Sequence, residues 1–395
     1  MVPEKADVVV VGAGVNGAST AFHLARAGVR RVVVVERSHI AAGATGKSGA
    51  LVRMHYTNPF ESKLAFESLK IFQAWSDIVG GESPFIRTGF IQVVGPEYED
   101  HLRRNVADQQ ALGIDTRVIS AEELKAMEPW CDVEGLTWVA YEPDSGYADP
   151  YATTCGFLRR AQEMGAEVRT HTEAVRVLTR GDRVTGVETS GGTTEAPVVV
   201  LAPGAWANRL LHPLGLDFGL YPRRAQVMIY RWPCGFNHRH MTYIDAVLNT
   251  WFRREGENCT LVGVEVGVLG ADPDDYDETG DQEFVAPTRS TLARRFPAMA
   301  EAPLRGSWAG MIMMSPDDRP IIDQVPQYQG LYVMLGDSGT SFKTAPAIGK
   351  CLAEWITEGR PKTADLRPFR STRFAEGQPW KDATTYGRVR RTISR

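Results

Sequence analysis

Short apolar runs and small-residue turns alternate near the start of the chain. Residues 7–11 are valine-rich over the length of a strand, and residues 31–35 repeat this pattern. A glycine-rich turn at residues 12–17 follows the first run, and residues 18–27 then have a helical pattern that Gly28 ends. This order predicts a strand, a glycine turn, a helix and a second strand, which together form a βαβ unit.

The glycine turn and the acid after the second strand have the spacing of a dinucleotide-binding site. Gly12 allows a tight turn, Gly14 lets the backbone approach a pyrophosphate, and Gly17 lets helix and strand pack closely. Backbone N–H groups at the start of the helix can hold phosphates. Glu36, about 20 residues further on, can accept hydrogen bonds from ribose hydroxyls. An acid at this position disfavours a 2′-phosphate and therefore disfavours NADP. A glycine turn in an unrelated α/β protein remains the alternative at this point.

Two further loops have the same small-residue character. Residues 41–50 carry few large side chains, which suits a backbone lying against a flat or anionic group, although a flexible loop has the same composition. Residues 331–335 form an apolar strand, which a glycine-rich loop at 336–343 and a helical pattern at 345–358 follow. This order predicts a second helix N-terminus that faces the ligand.

The intervening patterns predict a mixture of helices and strands. Residues 57–79 fit one amphipathic helix, with core positions at Phe60, Leu64, Leu69, Phe72 and Trp75. The next predicted elements are strands at 88–95, 136–141, 166–170, 183–188 and 197–202, and helices at 97–112 and 149–164. Residues 220–266 lack helical patterns between their β runs and therefore predict an antiparallel sheet, with strands at 225–231, 241–252 and 260–266.

An acidic loop at residues 272–281 follows this sheet region. It does not match a calcium-binding loop, because Asp277 occupies the position where the sharp turn requires glycine. His238 and His240 lack a third nearby metal ligand. The sequence therefore predicts a solvated acidic loop, structural histidines and no metal site.

Composition narrows the class of protein. A chain of 395 residues with 43% hydrophobic and 23% charged residues is long enough for two or three domain-sized units. The net charge of −4 provides no basic field for nucleic acid. Five dispersed cysteines without a C-x-x-C pair predict reduced thiols. No apolar run reaches membrane length, and the first strand starts too early for a secretory leader, so we expect a cytoplasmic protein.

Taken in order, the motifs resemble a known family. They are the βαβ unit, the 45–49 loop that leads to Arg53, the 200–206 strand end and the 336–343 loop, together with the 141–146 and 315–320 stretches. This set resembles the D-amino-acid-oxidase superfamily of flavoproteins, and within it the sarcosine oxidase-like branch, which includes monomeric sarcosine oxidase and the sarcosine oxidase beta subunit. The resemblance covers nearly the whole chain and ends near residue 370.

The resemblance implies an α/β fold (α+β overall) and FAD rather than NAD as the cofactor. A Rossmann-like FAD-binding domain with a parallel sheet would carry the cofactor, and a second domain with an antiparallel sheet would cover the substrate. The implied segments are 1–85, 145–215 and 320–372 for the FAD-binding domain, 86–144 and 216–319 for the substrate-binding domain, and 373–395 for a basic C-terminal tail.

The resemblance also implies the site residues. Arg53 and Lys343 match the pair that binds the substrate carboxylate, and the helix N-terminus after Phe342 would stabilise negative charge on the flavin. The implied cofactor-binding residues are Gly12, Gly14, Val15, Asn16, Gly17, Glu36, Arg37, Thr45, Gly46, Ser48, Gly49, Ala50, Ala174, Val175, Gly204, Trp206, Gly310, Met311, Gly336, Ser338, Gly339, Thr340, Ser341, Phe342 and Lys343.

Three positions depart from the family pattern. Gly310 stands where monomeric sarcosine oxidase has its flavin-linking cysteine, which predicts non-covalent FAD. Leu261 aligns near the oxygen-activating lysine, so a dehydrogenase with another electron acceptor becomes credible. Glu265 aligns with a histidine, and it would favour a cationic or longer substrate if it faced the cavity, although β alternation could equally turn it outward.

These observations lead to a hypothesis about the reaction. We expect oxidation of the C–N bond of an amino acid or N-alkyl amino acid, by hydride transfer to the flavin, on a small carboxylate-bearing amine. Oxidation of a 2-hydroxy acid or polyol is one alternative. The flavin subunit of a heteromeric amine dehydrogenase is the other, so the partner is either a second copy of the chain or another subunit. Nucleic acid and membrane are not expected partners.

Overall fold

The computed structural model describes residues 4–387, except for the side chains of Glu265 and Val266. Its strands are β1 Glu4–Lys5, β2 Val8–Val11, β3 Val32–Val35, β4 Leu51–Val52, β5 Phe85–Arg87, β6 Phe90–Val93, β7 Arg117–Ser120, β8 Trp138–Glu142, β9 Gly146–Ala148, β10 Glu167–Arg169, β11 Ala174–Arg180, β12 Arg183–Thr189, β13 Gly192–Glu195, β14 Val198–Leu201, β15 Tyr221–Arg231, β16 Thr242–Asp245, β17 Thr250–Glu255, β18 Cys259–Leu269, β19 Leu304–Met314, β20 Ile321–Gln324 and β21 Leu331–Leu335. Its helices are α1 Val15–Arg26, α2 Pro59–Gln73, α3 Trp75–Ile78, α4 Glu99–Ala111, α5 Ala121–Met127, α6 Pro150–Glu163, α7 Ala207–Leu211, α8 Val285–Arg295 and α9 Ala345–Glu358.

A six-stranded sheet forms the centre of the first unit. Its order is β10-β3-β2-β14-β21-β20, and only β20 runs antiparallel to its neighbour. The valines of β2 and β3 are buried on both faces, as expected for a parallel sheet covered on both sides. Helices α1, α6 and α9 pack on one face and α7 on the other. The carboxyl ends of β2, β3, β14 and β21 therefore meet at one edge.

An eight-stranded sheet forms the second unit. Its order is β19-β15-β18-β17-β16-β6-β8-β7, and all neighbours are antiparallel except β16 and β6. All its strands come from residues 86–144 and 216–319, the segments that the sequence assigns to the substrate-binding domain. Every strand of the six-stranded sheet comes from the other three segments. Two smaller sheets, β1-β13-β12-β11 and β4-β9-β5, complete the fold.

Two predicted elements are wrong in extent because the chain turns inside them. The helix predicted at 57–79 is interrupted at Ala74, whose ψ of 30° leaves the helical range, and Phe60 is 36% exposed instead of in the core. The strand predicted at 241–252 is a hairpin of β16 and β17. Asp245 Oδ1 accepts hydrogen bonds from the N–H groups of Val247 and Leu248, so the turn has its own acceptor.

The described part of the C-terminal segment packs against the rest of the chain. Asp382 pairs with Arg319 and accepts a hydrogen bond from the Thr57 hydroxyl at 2.9 Å. The Tyr386 hydroxyl lies 2.8 Å from His55 Nε2. Residues 388–395, which carry most of the predicted basic charge, lie outside the described residues. Within 4–387, no helix combines the length and apolarity needed to cross a membrane, and the five cysteines are free thiols.

Three buried histidines should make the stability of the fold depend on pH. Burial lowers the pKa of His23 and of His55 to about 3, and that of His240 to about 4. An unfolded chain takes up these protons near pH 6.5, whereas the fold does not, so acid favours unfolding. We expect each of these histidines to lower the free energy of unfolding by roughly 1.4 kcal/mol per pH unit below pH 6.5. The buried acids Glu142 and Asp337, whose pKa values are raised, oppose part of this slope.

Denaturant unfolding between pH 7.5 and 5 would measure this slope. His23→Leu should reduce the slope by about one histidine's share. The matched control is His212→Gln, at an exposed position, which should keep the wild-type slope. A His23→Leu variant with the wild-type pH dependence would contradict the assignment.

Candidate active site

A cavity of about 430 Å³ lies at the edge where the carboxyl ends of β2, β3, β14 and β21 meet. Ligands of open α/β sheets bind at such an edge. The predicted cofactor-binding residues that line it are Gly12, Gly14, Val15, Asn16, Glu36, Arg37, Thr45, Ala174, Gly204, Trp206, Met311 and Gly336. Residues that lie far apart in the sequence thus share one wall.

The glycine turn has the features needed to hold a diphosphate. A Cβ at Gly17 would overlap the carbonyl oxygen of Gly12, and Gly12 itself has a φ of +101°. Helix α1 begins after Gly14 without a side-chain cap. The Asn16 Oδ1 atom is buried and has no hydrogen-bond partner among residues 4–387. These features fit FAD, because its diphosphate needs close backbone approach and its ribityl hydroxyls need polar partners.

Glu36 occupies the position expected for a ribose partner. Its carboxylate accepts hydrogen bonds from the Ala13 N–H and the Ser38 N–H, each at 2.9 Å. These two donors fix the carboxylate between the glycine turn and the end of β3, where it lines the cavity. A carboxylate oxygen has more than one lone pair, so Glu36 can still accept from a ribose hydroxyl.

A second cavity, of about 120 Å³, adjoins the first. Both cavities are lined by Val15, Asn16, Ala44, Thr45, Lys47 and Asp337. The predicted site residues found only in the smaller cavity are Ser48, Gly49, Ala50, Arg53, Gly310, Gly339, Phe342 and Lys343. The structure therefore brings Arg53 and Lys343 together beside the larger cavity, which the predicted cofactor-binding residues line.

The two cations share one aromatic neighbour. The Arg53 guanidinium carbon lies 4.6 Å from the centre of the Tyr56 ring, and Lys343 Nζ lies 5.3 Å from it. Lys343 Nζ and the Tyr56 hydroxyl both donate hydrogen bonds to the carbonyl oxygen of Thr340, at 3.0 and 2.8 Å. Burial and the charge of Arg53 lower the pKa of Lys343 well below its ordinary value. The ammonium would thus gain stability from a bound anion.

Two buried acids, Glu142 and Asp337, accompany these cations, and no sequence motif predicted a role for either. Burial raises the pKa of Glu142 to about 7, although the nearby Arg53 opposes this shift, and burial raises that of Asp337 to about 6. Glu142 Oε2 accepts hydrogen bonds from the Met54 N–H and the Ser145 hydroxyl, at 2.9 and 2.6 Å. Glu142 therefore lies beside the Arg53 backbone and titrates near neutral pH.

Glu142 should make carboxylate binding depend on pH. When it ionises above pH 7, its charge competes with an added carboxylate for Arg53. We expect the dissociation constant of acetate, which carries no amine, to rise roughly threefold to tenfold between pH 6 and 8 in the wild type. The isosteric Glu142→Gln variant should lose that rise. Asp337 is present in both proteins, so the difference isolates Glu142; identical pH profiles would contradict the coupling.

The roof of the smaller cavity is apolar. It consists of Val227, Ile244, Trp251 and Val264 from the eight-stranded sheet, with Gln226 as a polar neighbour. The Trp251 ring fills the space where a Cβ of Gly49 would lie, so the 41–50 loop packs directly under this sheet. Such a roof excludes water from whatever the two cations bind.

Six predicted cofactor-binding residues do not line either cavity, namely Gly17, Gly46, Val175, Ser338, Thr340 and Ser341. Val175 is 53% exposed on β11. The Gly46 N–H donates a hydrogen bond to the Ala41 carbonyl in a tight turn. The Ser338 hydroxyl donates to the Gly336 carbonyl and accepts from the Ser315 N–H. Gly17 and Thr340 lie behind the walls, where they support Gly12 and Lys343.

The start of α9 is partly occupied by protein acceptors. The Ala345 N–H bonds to the Ser341 carbonyl, and the Ala347 N–H bonds to the Ser68 hydroxyl at 3.0 Å. These donors are therefore not directed at a ligand. The expected stabilisation of negative charge on the flavin therefore depends on the dipole of this helix. It also depends on the preceding turn, in which Phe342 and Lys343 line the smaller cavity.

The three departures from the family pattern have different outcomes. Gly310 lines the smaller cavity next to Lys47. Leu261 is buried in an apolar cluster with Ile244 and Trp251, behind the roof. The Glu265 side chain lies outside the described residues, so its predicted effect on substrate charge stays a prediction.

No sequence motif predicted one part of the cavity wall. Lys47 lines both cavities, and Pro273, Asp274, Tyr276 and Glu278 line the larger one. The acidic loop, predicted to be solvated, therefore contacts the cofactor side of the molecule. A run of acids gave no sign of these contacts, because their partners lie far away in the sequence.

Comparison with known proteins identifies the family of this chain. The family model described as FAD dependent oxidoreductase (DAO) matches residues 7–355. FAD-dependent oxidoreductase domain-containing protein 1 of Bos taurus is 28% identical, over 95% of this chain and 86% of that protein. Sarcosine oxidase subunit beta of Rhodobacter capsulatus is 24% identical, over 95% and 90%. The crystal structure of L-proline dehydrogenase from P. horikoshii matches with a TM-score of 0.88 and 27% identity, over 95% of this chain and all of that chain.

The family model covers most of the chain and includes the glycine turn, Arg53 and Lys343. The resemblance found in the motifs is thereby confirmed, as are the mixed α/β fold and FAD as the cofactor. The chain belongs to the family of FAD-dependent oxidoreductases.

Proposed function

We propose that this enzyme oxidises the C–N bond of an amino acid or an N-alkyl amino acid, with Arg53 and Lys343 binding the substrate carboxylate. The observation that carries the proposal is the placement of these two buried cations in the small cavity that adjoins the cofactor cavity. A guanidinium fork and an ammonium together can fix and neutralise a carboxylate. Neither a polyol nor a simple amine needs such a pair.

The residues of the chain then position the substrate. The carboxylate lies at the cations, and the apolar roof excludes water and leaves room for an apolar substituent. Bound FAD supplies the acceptor for the hydride that leaves the carbon next to nitrogen. With no charged residue in the described part of the roof, a neutral amine is the form that we expect to react.

The names of the relatives support this substrate class. Sarcosine oxidase subunit beta and L-proline dehydrogenase are named for amino acids, and both sarcosine and proline are secondary amines with a carboxylate. Leu261, which is buried and aligns near the oxygen-activating lysine of the family pattern, supports a dehydrogenase that passes electrons to an acceptor other than oxygen.

A second candidate is the flavin-carrying subunit of a heteromeric amine dehydrogenase. It is favoured by one observation: 90% of a protein named as a beta subunit aligns with this chain. Turnover by the purified chain alone would separate the two candidates, because an isolated subunit would hold FAD and be reduced by substrate but would turn over poorly.

Anaerobic reduction tests the proposed reaction. The purified yellow protein is mixed without oxygen with primary amino acids, N-methyl amino acids, proline and 2-hydroxy acids, and the loss of flavin colour is followed. We expect bleaching by amino acids and not by 2-hydroxy acids of the same length. Bleaching by 2-hydroxy acids alone would replace the proposal with 2-hydroxy-acid oxidation.

A further inference from the structure

Residues 272–281, here called the acidic strap, cross from the eight-stranded sheet to the cofactor cavity. Four of them, Pro273, Asp274, Tyr276 and Glu278, line this cavity together with the glycine turn. The strap comes from the segment assigned to the substrate-binding domain, whereas the opposite wall belongs to the FAD-binding segments. The cavity is thus enclosed by both parts of the chain.

One end of the strap binds the wall beside the ribose position. Asp274 Oδ1 accepts hydrogen bonds from Arg37 Nη1 at 2.8 Å and from Trp206 Nε1 at 2.7 Å, and its other oxygen pairs with Arg209. The Arg37 guanidinium lies 4.8 Å from the Trp206 ring centre. Arg37 follows Glu36 directly, so Asp274 connects the strap to the turn that carries the predicted ribose partner.

The other end of the strap binds the boundary between the two cavities. Lys47 Nζ donates hydrogen bonds to the Tyr276 hydroxyl at 2.7 Å and to Glu278 Oε1 at 2.5 Å. Asp281 forms a bidentate pair with Arg224 of β15, which anchors the base of the strap on the roof sheet. Lys47 is separated from Glu278 by 231 positions in the sequence, so these contacts depend on the complete fold.

We propose that the acidic strap is a cofactor-binding element that retains FAD by closing the solvent side of its cavity. The glycine turn would hold the diphosphate, and the strap would have to detach from Arg37 and Lys47 before FAD could leave. The ion pairs that hold the strap are partly exposed, with side-chain exposures of 34% for both Arg37 and Asp274. Salt therefore screens them, and the rate of FAD release should rise with ionic strength.

FAD release is the measurement. Holoenzyme is diluted into buffer at low and high salt, and the gain of free-flavin fluorescence is followed. We expect the double variant Asp274→Asn with Glu278→Gln to release FAD about tenfold faster than the wild type at low salt, and to respond less to added salt. The matched control, Asp108→Asn with Glu134→Gln, removes two exposed acids elsewhere and should release FAD at the wild-type rate.

Tyr276→Phe provides a second variant that keeps all charges. It removes one hydrogen bond to Lys47 and should release FAD faster by a smaller factor, with the salt response retained. Equal release rates in the wild type and the folded double variant would overturn the proposal. So would an equal acceleration in the charge-matched control, or a wild-type rate that does not change with salt.

Discussion

Replacing Arg53 or Lys343 by methionine should raise the KM for a carboxylate substrate by at least tenfold. Each replacement removes a charge-assisted hydrogen bond, which contributes about 1.5–3 kcal/mol in a buried site. We expect the larger effect from Arg53→Met, because an arginine keeps its positive charge. Burial lowers the pKa of Lys343, so before an anion binds its ammonium form is less stable. Steady-state kinetics with the substrate found by anaerobic bleaching would measure both.

Two controls separate loss of the carboxylate site from general damage. Lys70→Met removes an exposed cation from α2 and should leave KM unchanged. The amide of the same substrate, which lacks the negative charge, should react poorly with the wild type and be affected little by either replacement. Unchanged kinetics with the carboxylate in both site variants would refute the proposed role of the two cations, while the assignment of FAD would stand.

Patterns that are local in the sequence predicted much of this site. The βαβ unit, the loop at 336–343 and helix α9 all depend on spacing within about thirty residues, and the structure contains all three elements. The N–H donors at the start of α9 are the exception to the prediction, because the Ser341 carbonyl and the Ser68 hydroxyl occupy them. Arg53 and Lys343 were found through the family resemblance, because a single cation in a sequence carries no sign of its partner. Their shared neighbour Tyr56 became visible only in the structure.

The missed features depend on contacts between distant parts of the chain. Glu142 ends an ordinary strand, and only the fold places it beside Met54, 88 positions earlier in the sequence. The acidic strap has the composition of a solvated loop. Its position at the cavity depends on hydrogen bonds to Arg37 and Lys47, which lie far away in the sequence. A charged residue outside a recognised motif gives little information in the sequence for this reason: its hydration or pairing is decided by the tertiary structure.

Gly17→Ala should abolish stoichiometric FAD binding while the chain still folds. The new Cβ would overlap the Gly12 carbonyl oxygen, so α1 would have to move away from β2 and the turn between them would open. Overpacking of this kind costs about 1–3 kcal/mol, less than the total stability of a typical domain. The same movement displaces the N–H groups that would hold the diphosphate, and at about 1.4 kcal/mol per tenfold change the affinity should fall by well over tenfold.

The ratio of flavin absorbance to protein, with circular dichroism as a check of folding, would measure this effect. Gly306→Ala is the matched control, because a Cβ at Gly306 meets no atom within 4 Å and the residue lies in β19, away from the glycine turn. The control should retain FAD as the wild type does. Full flavin content in Gly17→Ala would show that the turn can relax and still bind the diphosphate. The close packing of α1 on β2 would then not determine the shape of the cofactor site.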